Sequence, residues 1–222
     1  MNMIEKLSTR FYGRVGLLLL LVAALNFGYP LTLYMGGLGN IIFLLAYALM
    51  FVIGVLVTSE DNKHFIQTSI AAVVWMVCAV ISFFAPSSSF VAILSQLAII
   101  PAQLLMTIAL VRYIYTSKVV DTNVMMTAIT VYIFIAAMFT PLYVIISRLD
   151  VNAFVDNGLG VAPQWQQLVY FSFVTLATLG YGDVLPLNAW ARSLATVEGM
   201  VGVLYVALIM GRLIGVYSQE RD

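Results

Sequence analysis

The residues with the most specific chemistry are Thr175-Leu176-Ala177-Thr178-Leu179-Gly180-Tyr181-Gly182-Asp183. Two glycines one residue apart, Gly180 and Gly182, permit backbone angles that other residues resist, so that successive carbonyl oxygens can be aimed in one direction. Four chains around an axis would turn those oxygens into rings able to replace the water shell of a dehydrated cation. One loop supplies only a quarter of each ring, so the chemistry calls for a homotetramer. Just before it, Gln164 to Leu176 is apolar and helix-compatible. At about 1.5 Å per residue it crosses only part of a bilayer core of about 30 Å, and it reads as a re-entrant half-helix. Its carbonyl end is partially negative and favours a cation beyond it. Irregular backbone at membrane depth is tolerated only inside protein or against a water-filled cavity.

The elements that must carry this segment follow from composition. The 222 residues are 63% hydrophobic and 9% charged, with mean hydropathy +1.03, against about 25% charged residues in soluble domains. A soluble globular protein is excluded. The net charge of zero leaves no surplus to neutralise a nucleic acid, and the single cysteine, Cys78, permits no intrachain disulfide. No charge falls between Arg14 and Glu60, between His64 and Arg112, or between Asp121 and Arg148. Turn-forming clusters at Gly36–Asn40 and Pro86–Ser89 divide the first two stretches. Helices are therefore predicted at about 15–34, 40–58, 64–84, 90–115 and 123–149, with a sixth at 188–216.

The expected fold is an all-α membrane protein: six transmembrane helices plus a re-entrant pore helix and filter loop. Residues 1–118 form a four-helix membrane domain and 119–222 a pore domain. Lys6, Arg10, Arg14, Lys63, Arg112, Lys118, Arg212 and Arg221 fall on the side of the termini, and only Arg148 and Arg192 opposite. That bias places both ends in the cytoplasm and the protein in the cell membrane. Lys6, Arg10 and Arg14 before Val15–Leu25 also fit a signal peptide, but no Ala-x-Ala site follows and the first helix is expected to be retained.

Thr178, Leu179, Gly180, Tyr181, Gly182 and Asp183 resemble the Thr-Val-Gly-Tyr-Gly-Asp filter of the tetrameric potassium channels, with Leu179 where valine is usual. The resemblance covers about 123–218, through Pro186, Trp190 and Arg192 to Gly202, and is most like the six-helix prokaryotic members. It implies potassium coordination by the carbonyls of Thr178, Leu179, Gly180 and Tyr181 with the Thr178 hydroxyl. It places Thr175 at the end of the pore helix, Tyr170 and Phe171 in an aromatic cuff, and a gating hinge at Gly202; Gly199, by its residue type alone, is a second flex point or a site of close helix packing. Where some relatives hold the filter aspartate with a glutamate, this chain has Val174, so Asp183 needs another partner, for which the Tyr170 hydroxyl is the candidate.

The fourth predicted helix offers only Arg112, at its cytoplasmic end with Lys118 beyond; its interior carries Gln96, Pro101 and Gln103. Voltage sensing uses several gating charges, each worth about 2.3 kcal/mol per 100 mV, and steep voltage dependence is not expected. Glu60 and Asp61 fall in a loop, and the chain has no expected soluble ligand domain after the sixth helix. Glu198 is an intramembrane acid, read as a structural hydrogen-bonding group or a functional site. His64 is expected in a solvated loop, and Tyr34, Tyr113, Tyr115, Tyr143 and Trp190 in aromatic belts at span ends.

The expected function is passive potassium conduction, with no catalytic residue, no cofactor beyond the permeant ion, and itself and lipid as partners. A non-selective cation channel is the alternative. A second class, the intramembrane aspartyl proteases, shares Gly180-x-Gly182-Asp183, but needs a second carboxylate, and Asp121, Asp150 and Asp156 all fall in predicted loops.

Overall fold

A computed structural model describes residues 3–57, 62–85, 88–158 and 160–219. Seven helices and two short strands follow in order: α1 (Met3–Gly28), α2 (Pro30–Val57), α3 (Asn62–Phe84), α4 (Ser89–Thr116), α5 (Thr122–Leu149), β1 (Phe154–Asp156), α6 (Trp165–Leu176), β2 (Val184–Pro186) and α7 (Ala189–Gln219). Among the described residues, α2, α3, α4, α5 and α7 contain stretches long and apolar enough to cross a membrane. The apolar part of α1, Arg14–Gly28, is shorter. The protein is a multi-pass membrane protein.

Helix α5 is the axis of packing, touching α1, α4, α6 and α7. Val15, Leu18, Val22 and Leu25 recur at three- and four-residue spacing on α1, and Ile99, Ala102, Met106, Leu110 and Ile114 do so on α4. These stripes bury α1 and α4 against α5 of their own chain. Helix α5 starts on Asp121, whose Oδ1 accepts from the Val124 N–H at 2.9 Å, and α4 runs through Pro101 without a break.

The first predicted span needs correction at its end. Instead of reaching 34, α1 stops at Gly28, because Pro30 has no N–H to donate back and its fixed φ starts a new helix instead. A second break follows at Gly36, with φ +56° and ψ −130°, so the reversal uses two corners where one was expected at Gly36–Asn40. Glu60, Asp61, Pro86, Ser87 and Arg221 lie outside the described residues. His64 is also corrected: Arg112 Nη1 lies 3.0 Å from its Nε2, which joins α3 to α4 and engages the only arginine of α4.

Candidate ion-conducting filter

Helix α6 is the half-length element expected before the filter. Its N-terminus is fixed by Gln167, whose Oε1 accepts from the Gln164 N–H at 2.6 Å and whose Nε2 donates to Asp156 of β1 at 2.5 Å. Gln166 Nε2 donates to Thr32 Oγ1 at 3.2 Å, which ties the same end to the corner between α1 and α2. Its body is held by three edge-to-face rings: Phe171 with Tyr143 of α5 at 5.0 Å, Phe171 with Phe154 of β1 at 5.7 Å, and Tyr143 with Phe154 at 5.6 Å.

Beyond α6 the backbone changes hand at alternate residues. Thr178, Gly180 and Gly182 have φ of +56°, +58° and +77°. Such alternation cancels helical winding, keeps the segment extended and turns successive carbonyls to one side. For β-branched Thr178 a positive φ is strained, of order 1–3 kcal/mol, and persists because its surroundings hold it. The amides of Thr178 and Leu179 donate to Thr175 O at 3.0 Å and Val174 O at 2.9 Å, fastening the segment to the end of α6. The glycines were legible in the sequence; the strained threonine was not.

Past the filter, Asn157 takes hold of the chain. Its N–H donates to Asp183 O at 2.7 Å and its Nδ2 to Gly182 O at 2.9 Å. Strands β1 and β2 pair antiparallel, Phe154 with Pro186 and Asp156 with Val184, and close the loop behind the filter. Among the described residues nothing donates to the carbonyls of Thr178, Leu179, Gly180 or Tyr181. Four consecutive acceptors are thus left open between two fastened ends. Neither Asn157 nor the two strands were foreseen; the Asp156-Asn157-Gly158 turn was the available signal.

Asp183 Oδ1 accepts from the Val184 N–H at 3.0 Å, and the Tyr170 hydroxyl lies beside the carboxyl. The Tyr170 contact first, and the Val184 N–H after it, hold its carboxyl below the ordinary aspartate value. A group shifted down keeps its charged contact above its unfolded pKa and loses it as pH falls through the folded one. Acid loss of this contact should therefore occur below about 3.9, the ordinary aspartate value. Tyr170→Phe should move that loss upward, measured as ion flux from vesicles against external pH.

Residues 102–219, from the middle of α4 to the end of α7, match the sequence model of a family described as "Ion channel". The chain belongs to this ion-channel family. Over 80 residues the channel is also 30% identical to the potassium channel protein kcv of Paramecium bursaria Chlorella virus 1, an alignment covering 36% of this chain and 84% of that one. The family match spans α5, α6, the Thr178–Gly182 segment and α7.

Inside this channel unit, Glu198 of α7 is 0% exposed. Tyr143 Oη donates to its Oε2 at 2.5 Å, and Ser172 Oγ of α6 lies 2.5 Å from its Oε1 and 2.7 Å from Ala136 O of α5. The carboxyl group therefore knots α5, α6 and α7 together. Tyr143, expected in an aromatic belt, is corrected: it is 0% exposed, because its face of α5 turns toward α6 and α7. Trp190, by contrast, is 79% exposed.

Gly202 has a packing role. Helix α7 is continuous through it, and a Cβ there would stand 2.1 Å from Leu176 O, at the end of α6. At Gly199 the nearest atom, Thr175 O, would be 3.8 Å away. Gly202→Ala should overpack this joint by roughly 1–3 kcal/mol and lower the melting temperature of the purified protein. Gly199→Ala should melt close to wild type.

At the other end of α7, Arg212 Nη2 donates to Tyr115 O at 3.0 Å and Ser117 O at 2.9 Å, where its charge meets the negative end of α4. Sequence had placed Arg212 only among the cations on the side of the termini.

Proposed function

We propose that the protein is a potassium-selective channel that works as a homotetramer and conducts passively, without catalysis and with potassium as permeant ion instead of cofactor. The observation that carries this reading is the run of four open carbonyls, Thr178 to Tyr181, set by alternating φ at the end of a half-length helix. In the single chain Leu179 and Tyr181 are exposed, as expected of a segment whose remaining walls come from other copies. Carbonyl rings of this kind substitute for a hydration shell and pass ions by knock-on between adjacent sites. The potassium-channel name of the viral relative supports the same ion.

The further parts of the reading are six membrane crossings with α1 retained, both termini cytoplasmic in the cell membrane, and α6 entering from outside. Weak voltage dependence is part of it too, since Arg112 of α4 is at its inner end and engaged by His64. Gly202 is read as the place where the inner helix bears on the pore helix, and bending there or at Gly199 is the proposed route of gating.

The test is reconstitution of the purified protein in liposomes, with potassium on one side and sodium on the other. Reversal near the potassium equilibrium potential is expected. Reversal near zero would replace the reading with a non-selective cation pore.

A further inference from the structure

A cavity of about 630 Å³ opens among α1, α2, α3, α4, α5 and the start of α6, away from the filter carbonyls. Its volume is that of a site for a small organic molecule, which typically measures about 300–1,000 Å³. Gln103 of α4 lines it, 1% exposed, and the side-chain oxygen of Gln103 has no hydrogen-bond partner among the described residues. A buried acceptor without a donor is costly, so the cavity wall asks for a donor at this point. Around it stand flat apolar faces, Tyr47 against Trp75 at 5.7 Å and Phe43 against Trp165 at 5.3 Å. Arg148, at the C-terminal end of α5, lines the cavity too, is exposed, and forms no ion pair with a described residue.

We infer that this cavity binds a small amphipathic aromatic acid: a hydroxyl donating to Gln103, an aromatic body lying against the tyrosine and tryptophan rings, and an anionic group at Arg148. Each part of the ligand answers one feature of the wall. Because Trp165 belongs to the pore helix and Gln103 to α4, an occupant bridges the N-terminal helices and the pore unit. This site is independent of ion selectivity, and its test reads binding, not current.

The probes are 4′-hydroxybiphenyl-4-carboxylate, its deoxy analogue biphenyl-4-carboxylate, and oleate, titrated calorimetrically into the full-length protein in nanodiscs with empty nanodiscs subtracted. The hydroxylated probe should bind about tenfold more tightly than the deoxy probe, the worth of one buried hydrogen bond. Gln103→Leu, which removes the orphan acceptor at similar volume, should abolish that difference while leaving the deoxy probe unchanged. Arg148→Gln should weaken both acids alike. Occupancy should also change the fluorescence of Trp75 and Trp165. Equal affinity for the two biphenyls, indifference to Gln103→Leu, or heat no greater than empty nanodiscs would overturn the inference. Oleate binding as tightly as the hydroxylated probe would overturn it as well, since a hydrocarbon chain brings no donor to Gln103.

Discussion

Gly180→Asp is expected to reduce potassium-selective flux in liposomes to background while the protein still purifies folded. The two halves of this expectation have separate causes. A Cβ at Gly180 would meet nothing within 4 Å in the single chain, so no core contact is disturbed. The φ of +58° costs an L-residue roughly 1–2 kcal/mol, and aspartate tolerates that conformation better than most. Conduction fares differently. In a fourfold ring the substitution sets four carboxylates around the ion path, and an ion held that strongly does not move on, whereas conduction requires binding weak enough to leave. Flux from potassium-loaded vesicles, with the thermal midpoint of the same preparation, checks both halves. A variant that still reverses near the potassium potential would remove these carbonyls from the ion path.

Glu198→Ala should lower the thermal midpoint substantially, whereas Glu198→Gln should be close to wild type. Alanine strips partners from Tyr143 and Ser172, both 0% exposed, and opens a void between α5, α6 and α7. Each lost hydrogen bond costs about 1–2 kcal/mol, toward the lower end in a membrane where unfolded helices find other partners. Glutamine fits because of a proton count. The Ser172 hydroxyl carries one proton but faces two acceptors, Ala136 O at 2.7 Å and Glu198 Oε1 at 2.5 Å. Both contacts are complete when Ser172 donates to Ala136 O and residue 198 donates to Ser172. The glutamine amide does this with Nε2 while its oxygen still accepts from Tyr143. If Glu198→Gln proved as damaging as Glu198→Ala, the charge and not the hydrogen bonds would be what the site requires.

These two positions also mark how far the residues could be read in order. Gly180 sits in a motif whose chemistry is local: two glycines, a half-length helix before them and an aspartate after. Their roles as neighbours of one another need no knowledge of anything distant in the chain. Glu198 could be marked as unusual, since an ionisable residue inside an apolar stretch stands out, yet its partners are 55 and 26 residues away on two other helices. Tyr143 was misplaced for that reason. Its position near a span end fitted an interfacial belt, and only the rotation of α5 against its neighbours shows that it points inward.

The sequence by itself determined the membrane class, most of the long apolar helices, the short helix α6 and the two glycines that follow it. Hydropathy, charge spacing and glycine's lack of a side chain act through near neighbours, so they are legible one residue after another. Tertiary structure alone decided the double corner at Pro30 and Gly36, the strained φ of Thr178, the Asn157 clasp, the carboxyl knot at Glu198, the contact at Gly202 and the cavity at Gln103. Each of these depends on which faces of separate helices meet, and an apolar helix is nearly the same on every side. Packing, and not pattern, chooses among them.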